Sequence, residues 1–340
     1  MEDSIVLDAI MGKDTERVPV APVITVAHAS MIYGIKPLEY ILDSKKYAEA
    51  QIHCKTFYGY DWVLSHQPFQ GVSKEEQENV VVREDHAILK LELGTEIKIA
   101  ENAPPQVIKT AITSKEEVEN LKVPDPYTRE RMAPLRYMLK EEDFVCGTVR
   151  CPFTLASSYV YDFEPFLIDL GMDEEFVHKL LDFSLEYCVE YARAQIEEGA
   201  EAMYLVDSSA SSSVISPDTF RKFALPYQKA LIKEIKDVPV IFHVCGDITY
   251  IVDDMINIGV DCLSIDEQMD IGEIHKRIAV LGNVAPGLLV RGTQEEVRKV
   301  CDKIVELKDR VVLSSGCVIP ANAKVENVKE MVKASHSSVS

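Results

Sequence analysis

The sequence predicts an α/β protein, a single (β/α)8 TIM barrel with an N-terminal β insertion. From about residue 140 short apolar runs alternate with amphipathic helical stretches, and six strand–helix alternations of this kind mean parallel βαβ units. The apolar runs are continuous rather than alternating, as strands buried on both faces require. Polar and metal-ligating side chains follow several of these runs, at the end of the strands where such barrels build their sites.

In the N-terminal part, Val18-Pro19-Val20-Ala21-Pro22-Val23-Ile24 reads as a first strand, followed by a helix near 44–57 and a second strand at Trp62-Val63-Leu64. The stretch 79–110 breaks the pattern. Val80-Val81-Val82 and Ile88 to Leu93, with a turn at Glu84-Asp85, read as an antiparallel excursion, an insertion at about 75–112 over one end of the barrel. Phe144 to Val149 is a buried strand. Asp173 caps a long helix with Glu174 and Glu175 in its first turn, Val177, Leu180, Leu181, Leu185 and Cys188 line one face, and Gly199 ends it. The remaining units follow in order: strand 203–206 and a helix from Pro217 to about Lys236; strand 238–242 and a helix near 248–258; strand 261–265 and a short helix near 271–277; strand 280–282 and helix 294–308; strand 311–313 and helix 325–335. Ser335 to Ser340 read as a frayed tail. The whole chain, 1–340, is expected to be one barrel domain carrying that insertion.

Over 340 residues, 36 basic and 56 acidic side chains leave a formal charge of −20, which repels polyanions and argues against a nucleic-acid partner. Apolar residues make up 47% and charged residues 27%, which fits a protein with a full core rather than a disordered chain. No apolar run approaches the roughly 18 residues of a membrane span. The acidic start Met1-Glu2-Asp3 lacks the basic and apolar regions of a secretory signal. The expected setting is cytoplasmic, where the eight cysteines stay reduced and each needs its own explanation.

The sharpest chemical feature is Phe242-His243-Val244-Cys245-Gly246-Asp247 at a strand end. Residues i and i+2 on a strand face the same side, about 6.5–7 Å apart, so His243 and Cys245 can share one pocket. Cys317, in Ser314-Ser315-Gly316-Cys317, follows another strand and opens onto the same face. A His–Cys–Cys set with a fourth position left for substrate or water matches a catalytic zinc site, and thiolates select zinc over magnesium or calcium. On spacing alone, small apolar cysteines and a hydrogen-bonded core histidine remain an alternative.

The chain resembles the uroporphyrinogen decarboxylase superfamily and, within it, the zinc-dependent corrinoid methyltransferases, of which the methylcobamide:coenzyme M methyltransferases of methanogens are the type members. The similar stretches are Arg17-Val18-Pro19, Cys151-Pro152-Phe153-Thr154-Leu155-Ala156-Ser157, Phe220 to Lys229, His243-Val244-Cys245-Gly246, Ser264-Ile265-Asp266, Leu281-Gly282-Asn283-Val284, and Gly316-Cys317 with Glu326-Asn327 downstream. The resemblance implies that His243, Cys245 and Cys317 ligate Zn2+, that methylcobamide is the co-substrate on a corrinoid protein, and that a small thiol such as coenzyme M accepts the methyl group. It also implies an acidic fourth ligand, which falls on Asp266, beside Glu267; a helix-capping role for Asp266 remains open. Two positions depart from the family pattern. Arg150-Cys151 stands where members often carry glycine, and Ala285-Pro286-Gly287 follows Asn283 where relatives often carry Asp-Pro.

Three further strand-end residues are expected on the same face: Asp207 to meet the corrinoid or thiol, Asn283 as a second polar contact, and Arg150, with Arg291, for an anionic group. His28 is expected along the pocket. Cys151 and Cys262 are pocket lining or core, and Cys54, Cys146, Cys188 and Cys301 are core. Four other functions compete. A corrinoid-dependent demethylase and a methylcorrinoid:tetrahydrofolate methyltransferase use the same metal ligands. Uroporphyrinogen decarboxylation needs arginines that the stretch Val23 to Met31 lacks. A non-catalytic zinc-binding subunit needs a saturated metal shell.

Overall fold

The computed structural model describes residues 4–65, 72–101, 103–127 and 131–337. Seven strands form one parallel, curled sheet, and each pairs with the next in a single sequence. The first is β1 (Val63–Ser65). An excursion of four strands follows: β2 (Val81–Val82), β3 (His86–Lys90), β4 (Glu96–Ala100) and β5 (Ala103–Lys109). The main sheet resumes with β6 (Val145–Arg150), β7 (Ala202–Val206), β8 (Val240–His243), β9 (Cys262–Ser264), β10 (Ala279–Val284) and β11 (Val311–Ser315), in the order β1-β6-β7-β8-β9-β10-β11. The strands are short, almost wholly buried and packed on both faces, as their apolar sequences require.

The eighth position is filled by one bridge rather than a full strand. Val20 bridges Leu313 on β11, while Asp61, just before β1, donates its amide to the Val20 carbonyl at 2.8 Å. Pro19 and Pro22 flank this segment and have no N–H to donate, so the ladder cannot extend beyond it. The closure is reinforced by Arg17, whose guanidinium grips the Asp61 carboxylate at 2.6 and 2.7 Å. That carboxylate also accepts the Val20 amide at 2.7 Å. Both partners are largely buried, and a carboxylate at this distance holds the Arg17 guanidinium above its ordinary value.

The second sheet, β2–β5, is antiparallel throughout. It docks over the C-terminal end of the barrel. Ala111 donates to the Tyr159 carbonyl at 3.0 Å and Ile112 to that of Val160 at 2.9 Å, and Ala156–Val160 is the π-helical segment that continues the short helix Pro152–Leu155 after β6. Of the helices, 174–198 carries the predicted apolar face and is capped by Asp173, whose side chain accepts the Phe176 amide. The expected helix from Pro217 to about Lys236 is broken into Pro217–Thr219, a π segment Phe220–Ala224 and Leu225–Glu234. Pro226 causes this, because it cannot donate back to the preceding turn and its ring needs the wider π spacing. The expected C-terminal fraying also differs. The last helix, Val325–His336, includes Ser335, which is buried, donates to the Val18 carbonyl at 2.5 Å and accepts from Arg17 at 3.0 Å. Residues 338–340 of that expected tail lie outside the described residues. No helix among the described residues is long and apolar enough to cross a membrane.

Candidate metal centre and active site

The cavity at the C-terminal end of the barrel has a volume of about 1250 Å3. Strand ends, the helix Val26–Tyr33, the loop 318–322 and Glu101, Pro104 and Pro105 of the insertion wall it. His243 and Cys245 enter from the end of β8 and Cys317 from the loop after β11. Their donor atoms lie within 4.8 Å of one another: His243 Nε2 is 3.2 Å from Cys245 Sγ, and the two sulfurs are 3.9 Å apart. Zinc bonds of about 2.3 Å to sulfur and about 2.0–2.1 Å to nitrogen, set tetrahedrally, would place two sulfurs about 3.8 Å apart and nitrogen about 3.5 Å from sulfur. Cys245 therefore stands within a few tenths of an ångström of the spacing that a shared metal ion requires from both His243 and Cys317.

The surroundings hold them there. His243 Nδ1 lies 3.1 Å from the Ser264 carbonyl oxygen, which turns Nε2 towards the sulfurs. The Tyr204 ring stacks on the imidazole, with centroids 6.0 Å apart, and its hydroxyl is 2.9 Å from Ser264 Oγ. Ser208 Oγ is 3.4 Å from the Cys245 sulfur. Gly246 follows Cys245 at φ +76°, a left-handed turn that favours glycine, and its amide donates to Asp266 Oδ2 at 2.9 Å. Gly316 lets the 266–267 turn approach, since a Cβ there would lie 2.9 Å from the Glu267 amide nitrogen.

The electrostatics separate these thiols from the rest. A hydrogen bond from Cys317, reinforced by His243 against the cost of burial, holds the Cys245 thiol well below its ordinary value. The same hydrogen bond pushes Cys317 up. Burial opposes a charged imidazole at His243, but the Cys245 sulfur outweighs it and raises the ring's proton affinity. By contrast, burial pushes the Cys54 and Cys301 thiols up to about 12 and raises those of Cys146, Cys151, Cys188 and Cys262. Cys151 and Cys262 are fully buried in the core and are not on the cavity wall.

Other expected site residues have different places. Asp207 is fully buried off the cavity wall. Its Oδ1 accepts from the Thr154 amide and hydroxyl at 2.8 and 2.7 Å, and its Oδ2 from Gln228 Nε2 at 2.7 Å. It anchors the Ser208–Ala210 turn, whose Ser209 amide also donates to Thr154 Oγ1, so its carboxylate is not free to meet a corrinoid or thiol. Burial pushes it up to about 6 against those hydrogen bonds. Asp266 does not join the ligand cluster, because its two oxygens are taken by the amides of Gly246 and Glu267. Burial favours its neutral form, but those bonds and its hydrogen bond with the Glu267 side chain outweigh this and keep it low, while Glu267 is pushed up to about 7 by sharing that hydrogen bond. Asn283 spends its amide on the carbonyls of Asp266 and Met269, at 3.1 and 2.9 Å, and braces the same turn. His28 is buried behind the cavity, its nitrogens 3.0 Å from the Pro320 carbonyl and 2.8 Å from the Tyr58 hydroxyl. Arg291 is off the cavity, folded over Gly287. Arg150 is on the wall, its guanidinium 4.4 Å from the centroid of the Tyr159 ring. Tyr204 and the Ser264 carbonyl are the parts that sequence reasoning missed. Tyr204, two residues before Val206 on β7, carried the i, i+2 signal that marks a shared face.

An α/β barrel that gathers an imidazole and two thiols at its strand ends offers a donor set that could hold a soft metal in an open cavity. A family model described as "Uroporphyrinogen decarboxylase (URO-D)" matches residues 65–338, and the chain belongs to that family. It is similar to "Methylcobamide:CoM methyltransferase MtbA" of Methanosarcina acetivorans, 31% identical over 244 residues, covering 67% of this chain and 70% of that protein. It is also similar to "Uroporphyrinogen decarboxylase" of Prochlorococcus marinus (strain AS9601), 28% identical over 286 residues, covering 78% of this chain and 80% of that protein. The solved structure of a "methyltransferase from Methanosarcina mazei" superposes with a TM-score of 0.83 over 98% of this chain and 97% of that one, and at 22% identity this shows the shared barrel.

Proposed function

We propose that the protein is a methyltransferase that moves a methyl group between a methylcobamide and a small thiol such as coenzyme M, with Zn2+ held by His243, Cys245 and Cys317. The observation that carries this is the three-residue cluster on the cavity wall, with sulfurs 3.9 Å apart. The similarity to methylcobamide:CoM methyltransferases supports the reaction class.

Zinc in such a site supplies Lewis acidity that keeps a substrate thiol deprotonated near neutral pH. Two thiolates and a neutral imidazole offset its double charge, which leaves the substrate sulfur electron-rich. The rest falls to this chain's residues. Ser264 fixes the imidazole's tautomer and aim through its carbonyl. Asp207, through Thr154 and Ser209, holds the turn that brings Ser208 to the Cys245 sulfur. In the reaction the substrate sulfur forms a bond to the methyl carbon as the cobalt–carbon bond breaks. The electron pair of that bond stays on cobalt, taking it from Co(III) to Co(I), and the thiol proton goes to solvent. The cavity volume exceeds what a short thiol needs, so room remains for the face of a corrinoid carried by a partner protein.

The deciding experiment is an acceptor panel of coenzyme M, tetrahydrofolate and homocysteine with methylcobalamin, followed by the reverse direction with methoxy and methylamine donors. Demethylation by the thiol is the expected result. Turnover only with the pterin, or only in reverse, replaces this reading with the corresponding corrinoid methyltransferase or demethylase. No turnover in either direction with metal bound favours a non-catalytic role. Uroporphyrinogen decarboxylation is the reaction named for other relatives, and it gives no purpose to the thiol pair.

A further inference from the structure

Arg150 differs from most arginines of this acidic molecule in having no carboxylate partner. Arg17 is bound to Asp61, Arg131 to Glu76 and Glu92, Arg221 to Asp254, Arg277 to Asp253 and Arg298 to Asp302. Arg150 makes no ion pair among the described residues and rests its guanidinium on Tyr159. This contact uses the flat face and leaves the N–H edge free to donate. The charges that share the cavity wall are already matched: Lys36 with Glu101 at 3.1 Å, and Glu39 with Lys46 at 2.7 Å. Glu92, which shares the small neighbouring cavity with Arg150, is bound to Arg131 at 3.0 Å. Thr148, two residues back on β6 and on the same face, also lines the main cavity, and its buried hydroxyl has no hydrogen-bond partner.

Strand register places this pair relative to the metal ligands. Arg150 pairs with Val206, and Val206 pairs with His243. The three sit at one level on adjacent strands, and all line the cavity. Neighbouring strands are about 4.8 Å apart, so the Arg150 and His243 backbones are about 10 Å apart, with both side chains reaching into the gap.

We propose that Arg150 is a specificity-determining residue that holds the anionic group, sulfonate or carboxylate, of a short thiol whose sulfur reaches the His243–Cys245–Cys317 cluster, with Thr148 as a second donor. The inference rests on the methyl-transfer reading for where the sulfur goes. The net charge of −20 repels an anion at a distance, so recognition falls to this local contact, where low dielectric strengthens it.

The test compares three thiols of similar size with methylcobalamin: 2-mercaptoethanesulfonate, 3-mercaptopropionate and the uncharged 2-mercaptoethanol. Zinc-loaded wild-type, Arg150→Gln and Arg150→Lys proteins are compared, together with calorimetric titration by ethanesulfonate, which has no thiol. Wild type is expected to prefer the anionic thiols by about tenfold or more in kcat/KM, the scale of a charge-assisted pair. In Arg150→Gln that ratio falls to about twofold or less, chiefly through KM, and ethanesulfonate binding weakens about tenfold while metal content is unchanged. Arg150→Lys restores part of both, because it keeps the charge without the planar fork. The relative efficiency of the two anionic thiols tells whether the site is built for sulfonate or carboxylate. Thiol turnover with no charge preference, or a preference retained in Arg150→Gln, overturns the inference and leaves the methyl-transfer reading standing. Arg150-dependent ethanesulfonate binding with no thiol turnover does the reverse.

Discussion

His243 Nδ1 lies 3.1 Å from the main-chain oxygen of Ser264, one strand over on β9. That contact decides which ring nitrogen faces the cavity, since a donor at Nδ1 leaves Nε2 with its lone pair towards Cys245 and Cys317. The fold thus aims the imidazole at the two sulfurs, the orientation that the proposed ligand role requires.

The first prediction follows from that aim. The protein is expected to bind about one zinc per chain, and His243→Ala and Cys317→Ala are each expected to lose it, as read by elemental analysis after dialysis. Full occupancy in either variant sinks the ligand assignment.

In metal-free protein the two cluster thiols should differ sharply. Hydrogen bonding from Cys317 holds Cys245 well below the ordinary thiol value and pushes Cys317 up, so at pH 6 iodoacetamide should label Cys245 and spare Cys317. The labelling should persist below the pH range in which an ordinary thiol reacts, and added zinc should block it. Equal labelling of both, or a rate rising through pH 8–9 as for an ordinary thiol, contradicts the shared-proton picture.

Asp207 supplies a stability prediction with a definite sign. Its folded value of about 6 lies above the ordinary carboxylate value of 3.8. Between these the native state holds a proton that the unfolded chain does not, so stability falls as pH rises through this window. Relative to Asp207→Asn, wild type should lose on the order of 3 kcal/mol between pH 4 and 7. Parallel urea-unfolding profiles for the two proteins across that range would rule the effect out.

The barrel seam supplies another. Arg17 and Asp61 are mostly buried and doubly bonded, and Asp61 also holds the Val20 amide. Removing one member of a buried pair leaves the other charge uncompensated, so Arg17→Ala should cost about 3–5 kcal/mol. A loss under about 1 kcal/mol in urea unfolding would show that the seam is held by packing alone.

Much of this was readable before the fold was known. The pairing of His243 with Cys245 follows from the period of two on a strand, and Cys317 and Arg150 follow from lying at strand ends. The same rule also selected Asp207, Asp266 and Asn283, and there it misled. All three occupy strand ends, but both oxygens of Asp207 and of Asp266 are taken by Thr154, Gln228, Gly246 and Glu267, and the Asn283 amide nitrogen by the carbonyls of Asp266 and Met269. They position the site rather than line it. Nothing local in the chain distinguishes a strand-end carboxylate that meets a ligand from one that meets a neighbouring loop's amides.

The parallel barrel, the antiparallel excursion and the choice of His243, Cys245 and Cys317 as candidate ligands were thus legible in the sequence itself, because they rest on strand periodicity and residue chemistry. The single-bridge closure at Val20, the split helix around Pro226, the aim of His243 and the unpaired state of Arg150 were decided by the tertiary structure. Each depends on which backbone group or charge of a distant segment arrives within hydrogen-bond reach, and that is settled only when the strands pack side by side.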